Sequence, residues 1–294
     1  MLIAQITDVH LGFDRDDPDE LNRRRLDAVL EALTGMTPRP DLLLATGDLV
    51  EDPSDVGAYR RLRDALDGLP FPVRFALGNH DGRDAFLEAF PEAETAQGFV
   101  QYALEAGPIR ILVLDTLEEG RHGGGFCEAR ADWLRARLEE EPDRPTLIAL
   151  HHPPIETGLG WMTENSDAPW VGRLWEVVAE ADNVVAMIAG HLHRPVTTRW
   201  AGTTLVVCPS TAPQVALDLA PIDPEQPDGR AMIVAGPPWF GLHLWTGAGL
   251  VSHFDTAGGH DVIARYGPNL QPLVRRLAAE RGADPPRTGE GDRA

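Results

Sequence analysis

Five short segments of this sequence carry carboxylate, imidazole or amide side chains at the points where apolar runs end. They are Asp8-Val9-His10, Gly47-Asp48, Gly78-Asn79-His80-Asp81, His151-His152-Pro153-Pro154 and Gly190-His191-Leu192-His193. Carboxylate oxygens and imidazole nitrogens bind divalent first-row metal ions, whereas a zinc-finger site would need more thiolates than this chain offers. The set is large enough to hold two cations, and a pair of cations predicts hydrolytic chemistry.

The apolar runs that precede these segments predict the elements that position them. The runs read as buried strands and cover residues 2–6, 42–45, 73–77, 146–150 and 184–189. Helical spacing of apolar residues appears between them, at 20–33, 54–66, 83–90, 128–140 and 170–181. This repetition predicts an α/β fold with the polar side chains gathered at one edge of a sheet. Because side chains alternate along a strand, we expect Asp8 and His10 to project from the same side, and likewise His191 and His193.

The remainder of the chain has a different pattern. Two neighbouring strands are predicted at 99–104 and 109–114, and five more follow His193 as a meander that would form a second sheet, at 196–200, 203–207, 231–234, 240–245 and 250–253. We predict a catalytic domain over 1–256 and an extension over 257–282 with a helix at 269–281. Residues 283–294 are polar without periodicity, which predicts a flexible tail.

Composition narrows the class of protein. A formal charge of -20 disfavours a stable nucleic-acid partner, because a phosphate backbone is normally met by clustered positive charge. Only Cys127 and Cys208 are present, so free thiols are expected and not a disulfide framework. The chain begins directly with a strand, and no apolar run approaches the length of a membrane span. We therefore predict a cytoplasmic protein without a membrane partner.

The order of the five segments resembles the calcineurin-like metallophosphoesterase family over residues 2–193. Further stretches are similar to its class III branch of cyclic-nucleotide and glycerophosphodiester phosphodiesterases: Thr157-Gly158, Pro209-Ser210-Thr211 with Gln214, and Leu242-His243-Leu244-Trp245 before Val251-Ser252-His253. The resemblance implies a four-layer αββα sandwich, in which two mixed β-sheets are flanked by helices.

The resemblance also implies roles for individual residues. One metal ion would be held by Asp8, His10, Asp48 and His193, and the other by Asp48, Asn79, His151 and His191. Mixed oxygen and nitrogen ligands accept Mn, Fe, Zn or Co, so the identity of the ions stays open. A hydroxide bridging the two ions would attack phosphorus in line with the leaving alkoxide. His80 would donate to the phosphoryl oxygens or to the leaving group.

Four further polar residues lie in or near these segments, and three of them have two interpretations each. Asp81 either orients the His80 ring or caps a helix that begins at Arg83. Strand alternation would turn His152 away from the metals into structural hydrogen bonding. His122 either lines a substrate path or is exposed to solvent, and Arg194 either contacts substrate or forms a surface salt bridge.

These observations predict an enzyme that hydrolyses a small phosphodiester, with a 3',5'-cyclic nucleotide ahead of a glycerophosphodiester. A non-catalytic interaction scaffold of the same fold is the alternative from another class, but such a scaffold usually loses ligands and none is missing here. A DNA nuclease of the same superfamily would need a basic groove or a long extension. The C-terminal strands are candidates for homo-oligomer contacts.

Overall fold

The computed structural model describes residues 1–281. Its strands are β1 (Leu2–Ile6), β2 (Leu42–Thr46), β3 (Val73–Ala76), β4 (Tyr102–Ala106), β5 (Ile109–Val113), β6 (Thr146–Ala149), β7 (Val184–Ala189), β8 (Val196–Trp200), β9 (Thr203–Val207), β10 (Gln214–Val215), β11 (Ile233–Val234), β12 (Trp239–Trp245) and β13 (Leu250–Thr256). Its helices are α1 (Leu21–Gly35), α2 (Val56–Leu66), α3 (Arg83–Ala89), α4 (Glu128–Glu140), α5 (Pro169–Ala179) and α6 (Gln271–Glu280). The predicted helices and strands are confirmed with small shifts at their ends, and β10 is an addition to them.

Two mixed sheets form the centre of the fold. The first has the order β13-β12-β1-β2-β3 and the second β4-β5-β6-β7-β9-β8. Strands β1, β2 and β3 are parallel, as are β5, β6, β7 and β9, while the outer pairs are antiparallel. A short antiparallel pair, β10 with β11, lies outside both sheets. Parallel strands need helical crossovers, which explains why helices alternate with strands along the first two thirds of the chain.

The hydrophobic core shows how the layers pack. Ile3 of β1 and Ile111 of β5 belong to one buried cluster, so the two sheets share a core between them. The same cluster includes Val29 of α1, which covers the first sheet. A second cluster joins Leu134 of α4 and Leu174 of α5 to the outer face of the second sheet. The predicted four-layer αββα sandwich is confirmed.

The predicted meander sheet is wrong in its connections. Strands β8 and β9 extend the second sheet, and β12 and β13 extend the first. The reason lies in β1, which is buried along most of its length. Strand β2 pairs with one edge of β1 and leaves the other edge without a partner from the preceding part of the sheet. This other edge needs backbone hydrogen-bond partners, and β12 provides them in a register that pairs Leu2 with Leu244.

The described residues divide into two compact units, the first covering Met1–Gly258 and the second beginning at Gly259. The second contains α6, whose apolar side chains Leu273, Val274 and Leu277 are exposed. The predicted boundaries at 256 and 282 stay a prediction, and the predicted tail lies outside the described residues. Among residues 1–281, no helix has both the length and the apolar character of a membrane-crossing segment.

A buried polar chain of side chains connects the two sheets. His243 of β12 is fully buried, with Nδ1 2.8 Å from Ser252 Oγ and Nε2 2.9 Å from Gln5 Oε1. Gln5 in turn donates through Nε2 to Thr46 Oγ1 at 2.7 Å and to the carbonyl of Ala189 at 3.0 Å. The ring is neutral in this network, since burial lowers the pKa of His243 to about 4, with a smaller contribution from the charge of His253.

This depressed pKa predicts a loss of stability in mild acid. The unfolded chain takes up a proton on His243 near pH 6.5, whereas the folded protein resists it down to about pH 4. The free energy of unfolding should therefore fall as the pH decreases through that window, by on the order of 3 kcal/mol from this group. Urea titrations in EDTA, at ~pH 7 and ~pH 4.5, should show a smaller fall for His243→Gln than for the unsubstituted protein. Equal falls in the two proteins would show that another group is responsible.

Candidate metal centre

The five polar segments meet at the junction of the two sheets. Asp8 and His10 follow β1, Asp48 follows β2, Asn79 and His80 follow β3, His151 follows β6, and His191 and His193 follow β7. The expectation of a single sheet edge is therefore corrected: three of these strands belong to the first sheet and two to the second. Because the sheets pack face to face, the carboxyl ends of both sets of parallel strands open on the same site.

The backbone at the site is left-handed at five non-glycine residues. The φ angles are 51° at Asp8, 50° at His10, 48° at Asp48, 72° at His191 and 52° at His193. Strand alternation is thus the wrong explanation for the paired spacings, because β1 ends at residue 6 and β7 at residue 189. Each such residue costs about 1–3 kcal/mol and persists only where its surroundings hold it, most often at functional sites.

Two glycines allow the loops to approach one another. A Cβ on Gly78 would collide with the Oδ1 and backbone N of Asp48, and a Cβ on Gly190 would collide with Thr7 Oγ1. Glycine is therefore required at both positions by the close contact of neighbouring loops. This contact also places the Asp8 carboxylate 3.0 Å from the backbone N–H of His191, which donates to it.

Backbone carbonyls fix the orientation of the imidazoles of His151, which is buried, and of His193, which is partly buried. His151 Nδ1–H donates to the carbonyl of Thr46 at 2.7 Å, and His193 Nδ1–H donates to the carbonyl of Pro213 at 2.8 Å. A carbonyl can only accept, so in the neutral ring the lone pair lies on Nε2 in both cases. Metal-binding histidines are commonly held in this way by a hydrogen bond from their other nitrogen.

Glu51 holds two further rings at the same site. Its carboxylate Oε2 is 2.8 Å from His10 Nδ1 and 3.7 Å from His80 Nδ1, and its backbone carbonyl accepts from His80 Nδ1 at 3.1 Å. The two rings meet edge to face with their centroids 4.6 Å apart. Glu51 could not be recognised from the sequence, because a lone acid three residues after Asp48 has no motif of its own.

The atoms left facing one another form overlapping groups of potential ligands. His10 Nε2 lies 3.2 Å from His193 Nε2, which is 3.3 Å from Asp8 Oδ1, and His151 Nε2 lies 3.3 Å from Asp48 Oδ2. Two nitrogen lone pairs at 3.2 Å repel each other unless a proton or a metal cation lies between them. The groups are Asp8, His10 and His193; Asp8, Asp48 and His151; His10, Asp48 and His80; and His151, His152 and His191.

Buried atoms without hydrogen bonds identify where an ion fits. His151 Nε2 and Asn79 Oδ1 are buried and make no hydrogen bond of acceptable geometry among the described residues. Leaving such an atom without a partner costs about 1–3 kcal/mol. A nitrogen lone pair and an amide oxygen are both metal ligands, so a divalent cation would satisfy both atoms.

The charges of the site compensate one another. Burial opposes the ionisation of Asp48, but the combined attraction of His151, His10 and His80 outweighs it and keeps the pKa of Asp48 well below its usual range. Burial likewise opposes protonation of His151, but the negative charges of Asp48 and Asp8, with the hydrogen bond to Thr46, together raise the pKa of His151 to about 9. His191 behaves differently, since burial and the charge of His151 lower its pKa to about 3. His191 is therefore neutral and has a lone pair to offer to a metal ion.

Both interpretations of Asp81 are wrong. The carboxylate of Asp81 accepts from the backbone N–H of Gly78 at 2.9 Å, from that of Leu49 at 3.1 Å and from Tyr59 OH at 2.9 Å, and the His80 ring bonds to Glu51 instead. The N-cap of α3 is Gly82, without a side-chain bond. The reason is that the Gly78 loop folds back on the Asp48 loop, which draws the Asp81 side chain into the gap between them. Asp81 thus joins the two loops that carry Asp48 and Asn79.

The other polar residues near the site have mixed outcomes. His152 has the predicted structural hydrogen bond, with Nδ1 2.8 Å from Thr116 Oγ1, but it is not turned away, because it belongs to the group with His151 and His191. His122 is exposed and also lines the cavity over the site. Arg194 donates to the carbonyl of Val215 at 2.9 Å, a contact that neither interpretation anticipated.

Comparison with known proteins places these features in a family. The profile of the calcineurin-like phosphoesterases matches residues 1–195. A probable cyclic nucleotide phosphodiesterase of Rhodopseudomonas palustris is 39% identical over 214 residues, which cover 69% of this chain and 73% of that protein. A probable glycerophosphodiester phosphodiesterase of Arcobacter nitrofigilis is 29% identical in an alignment that covers 88% of this chain and 94% of that protein. The crystal structure of a dimetal phosphatase from Danio rerio superimposes on this chain with a TM-score of 0.60 at 17% identity. The superposition covers 88% of this chain and 99% of the Danio rerio chain.

The position of Glu51 predicts a role in holding His10 and His80. Glu51→Gln keeps the size of the side chain but removes the charge that accepts from His10 Nδ1. Because such outer partners orient ligands and raise their basicity, we expect a loss of about 10- to 100-fold in metal affinity or turnover. Asp52→Asn is the matched control, since the Asp52 carboxylate bonds to Ser54 and Arg15. Calorimetric Mn²⁺ titration and steady-state kinetics test the difference, and equal behaviour of the two variants would contradict it.

Proposed function

This chain belongs to the calcineurin-like phosphoesterase family, and on that premise we propose that it hydrolyses a 3',5'-cyclic nucleotide in a reaction that depends on two metal ions. The predicted enzyme class, a metal-dependent phosphodiesterase, is confirmed by the family and by relatives named as phosphodiesterases. The observation that carries the proposal further is the set of overlapping ligand groups in which both Asp8 and Asp48 are shared.

The proposed ligand sets follow from these groups. Asp8, His10, Asp48 and His193 would hold one ion, and Asp48, Asn79, His151 and His191 the other. The buried, unpartnered His151 Nε2 and Asn79 Oδ1 support the second set, and the opposed His10 and His193 nitrogens support the first. When bound, the ions supply Lewis acidity that activates water as a nucleophile and neutralises charge on the phosphoryl oxygens.

His80 is the proposed proton donor. Its Nδ1–H is committed to the carbonyl of Glu51, its side chain is 33% exposed, and it lines the cavity over the ligand groups. Nε2 is therefore the atom that can hold a proton toward substrate. Protonated there, the ring would donate to the phosphoryl oxygen and then transfer the proton to the leaving alkoxide, which breaks the P–O bond without releasing a free alkoxide.

The charges around the cavity favour a diester over a monoester. Arg24 is the one lysine or arginine among the described lining residues, and Asp14 and Asp17 lie on the same wall. A diester carries one negative charge and a monoester nearly two, so the diester needs less compensation from the protein. The match to the Rhodopseudomonas protein, named for cyclic nucleotides, supports that choice of substrate.

A glycerophosphodiester is the second candidate. The alignment with the Arcobacter relative named for that activity includes 94% of the length of that protein. A non-catalytic scaffold is disfavoured, because the aspartates and histidines proposed as ligands form overlapping groups that could hold metal ions.

A substrate panel tests the proposed activity directly. With Mn²⁺ added, we expect cAMP to have the highest kcat/KM, followed by glycerophosphocholine and bis(p-nitrophenyl) phosphate, with p-nitrophenyl phosphate poorest because of its second charge. Elemental analysis of protein purified without added metal gives the native ions. Turnover of the monoester alone would overturn the assignment as a diesterase.

Two substitutions separate metal binding from proton donation. Asp48→Ala removes the carboxylate shared between ligand groups, so we expect it to lose at least one ion and nearly all turnover. His80→Ala should keep both ions and slow catalysis by about 10² to 10⁴ fold. Metal content and kcat are to be measured on the same samples, and equal loss of metal in both variants would contradict this division of roles.

A further inference from the structure

The cavity over the metal centre has one wall that the proposed chemistry does not use. The cavity measures about 760 Å³, within the usual range for small-molecule sites. Its floor includes five members of the ligand groups, His10, Asp48, His80, His191 and His193. Its wall includes the apolar side chains of Phe13, Leu21, Trp161, Met162 and Ile233. Phe13 is the most exposed of them, at 72%, with Ile233 at 52% and Leu21 at 48%. An aromatic ring that lines a cavity but packs so little against the protein is available to a ligand.

The backbone on both sides of Phe13 is held in place. Leu11 pairs with the loop after β2, with its N–H donating to the carbonyl of Leu49 at 3.2 Å and its carbonyl accepting from the N–H of Glu51 at 3.0 Å. The buried carboxylate of Glu20 holds the residues on both sides of Phe13. It accepts from the N–H of Gly12, just before Phe13, and, at 2.8 Å, from the N–H of Asp14, just after it. The Phe13 ring, three residues after His10, is thus carried by a loop whose backbone is held in place.

The same loop sets the charge of this wall. Asp14 and Asp17 are exposed there, and the guanidinium of Arg24 is engaged by Asp19, whose carbonyl accepts from it and whose carboxylate lies 3.8 Å away. No cation without an acidic neighbour remains on this wall among the described residues to receive a second phosphate. An alcohol portion with its own negative charge would therefore be repelled.

We propose that Phe13 is the platform on which the ring of an uncharged, ring-bearing alcohol of the diester stacks. The inference rests on the proposed diesterase function and adds a residue that determines specificity. A nucleoside has the required chemistry, since its base is flat and neutral, whereas glycerol has no ring. The acidic wall excludes alcohols that carry a further phosphate.

Substitutions of Phe13 test the proposal, because the side chain is exposed and its truncation leaves the core intact. Loss of stacking on an aromatic side chain should raise KM for cAMP about 5- to 100-fold in Phe13→Ala. The value of kcat should change little, since the ring does not contact the reacting atoms. Phe13→Trp should retain low KM, and Phe13→Leu, which keeps the apolar bulk but not the flat face, should behave like the alanine variant. Val251→Ala, at an exposed apolar position on β13, is the control.

The comparison substrate is glycerophosphocholine. The inference requires that its KM change far less than that of cAMP across the Phe13 series. Equal changes for the two substrates, no change for either, or a preference of the unsubstituted enzyme for the cationic choline ester would overturn it. If the unsubstituted enzyme cleaves no diester at all, the proposed function itself fails, and that result is distinct from an active enzyme that is indifferent to Phe13.

Discussion

The mutual approach of buried imidazoles and carboxylates is the constraint on which the rest of the molecule depends. His10 and His193 present Nε2 atoms 3.2 Å apart, and Asp8 and Asp48 lie within the same groups. Without a proton or a cation between them these two nitrogen lone pairs repel each other, and His151 Nε2 and Asn79 Oδ1 are buried without a hydrogen bond among residues 1–281. The left-handed backbone at five of these residues adds further cost. A site of this kind is stable only because two packed sheets hold its loops.

A hydrogen-bond network that passes through Thr46 connects the centre of the fold to the metal site. Its hydroxyl accepts from Gln5, which bonds to His243 and to the carbonyl of Ala189 in the other sheet. Its own carbonyl accepts from His151 Nδ1. One residue therefore joins the polar network between the sheets to the orientation of a proposed ligand. Buried polar groups destabilise the folded protein unless they are fully hydrogen-bonded. In this network the bond to Thr46 also determines that Nε2 of His151 faces the site.

The sequence was sufficient for the elements and for the identity of the clustered residues, but not for the way in which they meet. The apolar runs ending at Ile6 and Ala189 predicted strands correctly, because burial on both faces leaves a clear signal. The pairing of β12 with β1 could not be predicted, since it joins residues more than 200 positions apart without a local turn signal. The role predicted for Asp81 in orienting His80 belongs to Glu51 for a similar reason: which residue reaches the His80 ring depends on the folding of two loops upon each other.

We propose that two neighbouring ions share Asp48. A crystal grown with excess Mn²⁺ and measured for anomalous scattering tests this sharing. We expect two peaks about 3.5–4 Å apart, both within bonding distance of the Asp48 carboxylate, with His10 and His193 on one and His151 and His191 on the other. A single peak, or two peaks that do not share Asp48, would contradict it.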